Sequence, residues 1–124
     1  MLLIPIAVTV FLLITTSAFA QFRWSEDSWF TKQGVIIKYD KIEHAVLGGC
    51  LAVAVYAISR SWISTFVWST TLNCLWEIKD GFLEWERFGW IGGDGFSWKD
   101  FIASEVGILI TMGFMRLMEW ILNI

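Results

Sequence analysis

The chain holds one histidine, His44, and a set of acids that interrupt or border apolar stretches: Asp40, Glu77, Asp80, Asp94, Asp100 and Glu105. These residue types support three kinds of chemistry. An imidazole with several carboxylates suits a hard or borderline divalent cation, with His44, Glu77, Asp80 and Asp94 as candidate ligands. The same set could move protons on a lipid or envelope precursor, with His44 as catalytic base and Glu77 as its orienting partner. Alternatively, Glu77 and Asp80 could pair with Lys41 or Lys99 across helices and hold the structure together. No spacing here matches a defined metal motif, and no Ser or Cys nucleophile stands at a matching catalytic motif. A lone histidine usually ends as a hydrogen-bonded structural residue, and Asp40 and Asp100 sit where simple helix caps are expected. The structural reading therefore leads and the catalytic one follows.

Helices must position these groups. Asp40 and Glu43 form an Asp-x-x-Glu variant of the capping box, and their charge suits the positive end of the helix dipole. A helix is therefore expected from Asp40 through His44 to about Ser59. Gly48 and Gly49, one turn below His44, would admit a second helix at close range. Arg60-Ser61 leaves only a very short turn, so the next helix, Trp62 to about Asp80, must return antiparallel, with Gly81 as its C-cap. On it Asn73, Glu77 and Asp80 form a polar stripe at i, i+4 and i+7. Residues 81–96 read as a loop carrying Glu84, Glu86, Arg87 and Asp94. Gly92, Gly93 and Gly95 would supply positive φ before Ser97. The Ser97 hydroxyl is expected to accept the N–H of residue 100 while the Asp100 carboxylate reaches back to Ser97 N–H. The last helix then runs from Trp98 to near Asn123, with Glu105 facing the cluster from one turn deeper.

Alternating helix directions gather His44, Glu77, Asp80 and Asp100 at one end, with the loops carrying Asp40 and Asp94. Residue 44 lies 16 positions before Arg60 and residue 77 lies 17 after it. At about 1.5 Å rise per residue, the two levels nearly coincide. His44 and Glu77 are therefore expected within direct or water-bridged hydrogen-bonding reach.

Hydrophobic residues make up 56% of the 124 and mean hydropathy is +0.61, too apolar for an ordinary soluble domain of this size. The fold class expected is all-α, an integral membrane bundle of three helices plus an N-terminal apolar segment. Nine Trp and ten Phe suit anchoring at the headgroup level. A formal charge of −3 without a basic run argues against nucleic acid. Membrane lipids, and another membrane protein, are the partners to expect. Cys50 and Cys74 lie in apolar stretches and read as buried thiols rather than a disulfide.

Residues 1–20 read as a signal peptide or an N-terminal membrane anchor; Ala18-Phe19-Ala20 gives a small-x-small cleavage pattern, but a basic n-region is missing. Residues 21–39 read as an interfacial segment and residues 40–124 as the helical membrane domain. The signal-like start places the polar cluster on the outer, periplasmic face. Seven Lys or Arg on the cluster side (Arg23, Lys32, Lys38, Lys41, Lys79, Arg87, Lys99) against Arg60 and Arg116 opposite argue for the cytoplasm. The outward orientation is favoured.

Asp40-Lys41-x-x-His44, then Gly48, Glu77-x-x-Asp80, and Gly95-Phe-Ser-Trp-Lys-Asp100 with Gly107 resemble the YfiM-like lipoprotein family; Asp27-Ser28-Trp29 adds to the likeness. The chain is more distantly similar to VanZ-like membrane proteins, with their Asp-Lys-x-x-His start and Asp-x-x-x-Asn-x-x-Gly final helix. The resemblance covers roughly residues 27–110. It implies a small helical protein of the bacterial cell membrane. The YfiM-like group has no established activity, and VanZ-like proteins are associated with glycopeptide (teicoplanin) resistance. Two departures stand out. Ser104 occupies the place, four residues after Asp100, where Asp or Asn is usual, and Glu105 is adjacent. No lipobox cysteine follows the first segment, so lipid attachment is not expected. The function expected is a small envelope membrane protein whose polar cluster is structural or binds a partner or ligand. The alternative is a membrane-embedded enzyme or metal-dependent hydrolase acting on lipid-linked substrates. No motif calls for a cofactor, and a divalent cation is the one addition the cluster's chemistry would accept.

Overall fold

A computed structural model describes residues 9–16 and 21–123. Ala18-Phe19-Ala20, the expected cleavage pattern, lies outside the described residues. Residues 9–16 are helical. The remainder comprises α1 (Asp40–Ser59), α2 (Trp62–Phe82), the short α3 (Trp85–Phe88), a 3₁₀ turn (Gly89–Ile91) and α4 (Trp98–Leu122). Extended pairing among the described residues is limited to isolated bridges, Trp24 with Phe96 and Glu84 with Gly93.

The α1–α2 hairpin closes as its sequence requires. Arg60 ends α1 in the left-handed conformation with φ 51° and donates its N–H to the Tyr56 carbonyl. Ser61 then caps α2, its hydroxyl accepting the Ser64 N–H at 3.3 Å. Two expectations about helix ends fail. Asp40 begins α1, but no side chain caps it. Glu43 instead accepts the N–H groups of Ile36 and Ile37, each at 3.1 Å, and so ties down the loop before the helix. Gly81 is not a C-cap, because α2 continues to Phe82 and Leu83 takes the cap. Gly81 must be small because the Phe22 ring occupies the space a Cβ would need. Of the three glycines before Ser97, Gly95 alone takes positive φ, 111°. Gly92 and Gly93 are needed for space, against the Glu84 backbone and the Asp80 carboxylate.

The tightest packing joins α1 to α4. A Cβ on Gly48 would run into the Ser104 backbone, and one on Gly107 would run into the Ala45 carbonyl. Backbones that approach this closely are held by dispersion and by small-residue contacts of the kind found between membrane helices. Ser104 adds a bond of its own, its hydroxyl donating to the His44 carbonyl at 3.1 Å.

Helix α2 lies against both partners with a buried stripe at unbroken i+4 spacing: Thr65, Ser69, Asn73, Glu77 and Gly81. Its Trp68, Leu72, Leu75 and Trp76 face outward. The polarity of the whole bundle is inverted in this way. Among the described residues, the buried apolar set is only Ala52, Ala103 and Ile108, whereas eight polar or charged residues are buried. Helices α1 and α4 are long and apolar enough to cross a membrane, and only 22% of each apolar window is buried. Helix α2, 21 residues long, is not among these because its Thr, Ser, Asn and Glu dilute its apolar content. Cys50 and Cys74 are free thiols, but neither is buried as expected: Cys50 is exposed on the outer face of α1 and Cys74 is half-buried.

Candidate functional site

The polar end of the bundle is centred on Lys41, whose side chain is 8% exposed. Its ammonium stands 2.7 Å from Asp40 Oδ2 and also contacts Asp100 Oδ1 and Asp27 Oδ2. Asp27 arrives from outside the helices. Residues 23–25 pair with the turn before α4, Phe96 N–H donating to the Arg23 carbonyl at 2.8 Å and Ser25 N–H to the Phe96 carbonyl at 2.9 Å. Arg23 N–H also donates to the Gly81 carbonyl at 2.9 Å. Segment 21–39 therefore folds over the helix ends and delivers a carboxylate between them. The Ser97 hydroxyl bonds Asp27 at 3.2 Å, and Lys99 reaches the Asp27 carbonyl. Burial alone would raise the Asp27 pKa, but the Lys41 ammonium and these hydrogen bonds outweigh it and hold the carboxyl below its ordinary value.

His44 stands beside this hub on the same helix. Its Nε2 lies 3.6 Å from Asp40 Oδ1 and 3.8 Å from Asp100 Oδ2, and its Nδ1 lies 3.8 Å from Glu77 Oε1. Glu77 is almost fully buried, at 1% exposure. Its second oxygen, Oε2, accepts the Ser97 N–H at 3.2 Å. This corrects the expected capping box. The Ser97 hydroxyl does accept the Asp100 N–H at 3.1 Å, but the reciprocal bond comes from Glu77 on α2 rather than from Asp100. An aspartate at this position is one methylene shorter than the usual glutamate, and Lys41 draws its carboxylate away. All three acids around the imidazole are thus divided. One oxygen of each is anchored by Lys41 or by a backbone N–H, and the other faces His44.

The remaining predicted residues separate into two groups. Asp80 pairs with Lys79 beneath Gly93, and Asp94 is exposed nearby. Both line an open cavity of about 610 Å³ together with Asp40, His44 and Asp100. Trp76, Trp85 and Trp90 form part of its wall, and no lysine or arginine is among its described lining residues. Glu105 does not face this cluster. It accepts Thr70 Oγ1 and Asn73 Nδ2, each at 2.8 Å, and Asn73 also donates to the Phe101 carbonyl at 3.2 Å. Five residues of helix turn Glu105 about 140° away from Asp100, which points it at α2 instead.

Three features escaped the sequence reading: Lys41 as the hub, Asp27 as its ligand, and the upper half of the α2 stripe at Thr65 and Ser69. The last was visible as unbroken four-residue spacing. The other two depend on a chain segment folding back. Chemically, the arrangement presents an imidazole with a buried carboxylate behind one nitrogen and two more before the other. Asp40, His44 and Asp100 can each offer one ligand atom, all within 4.8 Å of one another, which is compatible with a cation. No family model matches this chain, and no curated protein or solved structure matches it.

Proposed function

We propose that the chain is a small membrane protein of the cell envelope, in which three helices enclose a polar seam and an N-terminal apolar segment adds a signal or anchor. In this reading the His44 centre sits at one membrane face and is a non-catalytic site that joins the helices and holds a ligand. The inversion of polarity carries the reading. A bundle with only three buried apolar residues among those described, and an apolar exterior, is stable only where lipid replaces water around it. Buried ionisable groups near a membrane face are costly enough to mark a functional site. The division of Asp40, Asp100 and Glu77 between anchors and imidazole favours holding over turnover, since each acid already has a structural task. The likeness to YfiM-like and VanZ-like proteins belongs to the same proposal, as does an outward-facing cluster.

The topology is tested by single cysteines in a background lacking Cys50 and Cys74, read with an impermeant thiol reagent on intact cells. Val35→Cys and Trp90→Cys should label from one side and Arg60→Cys from the other. Labelling of positions 35 and 90 from opposite sides would sink the bundle. One observation favours a second reading, a membrane-embedded hydrolase or acid–base enzyme: His44 borders the open cavity. For an enzyme, His44→Gln should abolish turnover in a protein that stays folded, whereas a structural centre should lose stability with activity.

A further inference from the structure

His44 Nε2 faces Asp40 Oδ1 and Asp100 Oδ2 at 3.6 and 3.8 Å, outside hydrogen-bond range, while Nδ1 faces Glu77 Oε1. That last oxygen is buried and has no hydrogen-bond partner. A buried carboxylate oxygen without a donor is rare and calls for a physical account. The imidazole supplies one. In the tautomer that carries its proton on Nδ1, that proton is directed at Glu77, and Nε2 turns its lone pair toward two carboxylate oxygens. Lone pair and anions repel one another unless a positive charge lies between them.

We propose that Asp40 Oδ1, His44 Nε2 and Asp100 Oδ2 bind a divalent transition cation, with Glu77 orienting the imidazole from behind through Nδ1. The inference deepens the ligand-holding role given above and rests on it. Four features support it. First, Lys41 fixes the far oxygen of both aspartates, so each is presented as a one-atom ligand in a set position. Second, two ligand atoms about 2.1 Å from a shared ion stand roughly 3.4 Å apart in tetrahedral geometry, so the two distances from His44 Nε2, 3.6 and 3.8 Å, need to contract by only a few tenths of an ångström, and all three ligand atoms already lie within 4.8 Å of one another. Third, a metal-bound histidine characteristically gives its other ring N–H to a carboxylate, the place Glu77 occupies. Fourth, Asp27, Asp40 and Asp100 share one ammonium, Lys41, and a dication offsets the excess negative charge. The adjoining cavity provides an entry path and room for water on the open side of the ion. One imidazole and two carboxylates favour a borderline first-row dication such as Zn²⁺ over Mg²⁺, which prefers oxygen ligands throughout.

His44 is the sole histidine, so imidazole nitrogen NMR on the full chain in detergent reads this site without ambiguity. After chelator treatment and dialysis, titration with Zn²⁺ should shift the Nε2 resonance with one ion per chain and leave Nδ1 protonated. Calorimetry should show Zn²⁺ affinity at least tenfold weaker in Glu77→Gln and lost in Asp100→Asn, with Asp40→Asn serving if that variant unfolds. Failure of Glu77→Gln to weaken binding would remove its orienting role. An imidazole that ignores Zn²⁺, or that carries protons on both nitrogens at neutral pH with Zn²⁺ present, overturns the cation site. If the chain stays helical and labels with the expected sidedness, that result leaves the membrane bundle standing and removes only the ion.

Discussion

The two ends of the bundle use the same residue types to opposite degrees. At the His44 end, Lys41 is buried and contacts three carboxylates supplied by α1, α4 and the segment before α1. At the Arg60 end, Arg116 pairs with Glu119 at 2.9 Å and Glu119 contacts the Tyr56 hydroxyl, but Arg116 remains 71% exposed. Tyr56 stacks on Trp62 at 4.3 Å and closes that end with aromatic rings rather than charges. Burial decides what a charge is worth. An exposed pair gains little over water, whereas a buried hub cannot lose one member without leaving the others uncompensated.

The largest expected effect is therefore at Lys41. Lys41→Ala should destabilise the folded chain by about 3–5 kcal/mol, because three carboxylates lose their shared cation. Arg116→Ala at the other end should cost less than about 1 kcal/mol. Chemical or thermal unfolding in detergent measures both, and similar losses would erase the distinction between the ends. Next in size is the α1–α4 contact that carries the polar end. Gly107→Leu should cost on the order of 1–3 kcal/mol, since the Ala45 backbone cannot move aside as a flexible side chain would. Gly113, which has open space where a Cβ would sit, should accept alanine with no loss of that kind. A Gly107→Leu chain as stable as the parent would refute the close approach.

The smallest effect sharpens the comparison by pH. The folded-state pKa of Asp27 lies below its ordinary value of 3.8, so the unfolded chain takes up the proton first. Its contribution is complete above that value and is lost as pH falls through the lower, folded one. Asp27→Asn should remove this part of the acid sensitivity while lowering stability at neutral pH. An unchanged acid limb in that variant would mean that Lys41 does not hold Asp27 ionised.

Local rules in the sequence reached far along this chain. The two-residue turn at Arg60-Ser61 and the cap at Ser97 place three helices in register, and equal counting from Arg60 puts His44 and Glu77 at one level. These follow from rise per residue and from bonds between neighbours, so no distant residue has to be known. The choice of partner was decided only by packing. Ser97 N–H could have bonded Asp100 three residues on and instead took Glu77 from another helix. Asp40 looked like a cap and became an anchor for Lys41, while Glu105 rotated toward Asn73. Asp27 joined the centre through a segment whose pairing with Phe96 has no local signature. Hydrogen bonds and ion pairs are settled by competition among groups that meet only when the helices close, and their strength depends on burial. Helix type and level can therefore be read residue by residue, whereas the identity of each polar contact belongs to the tertiary structure.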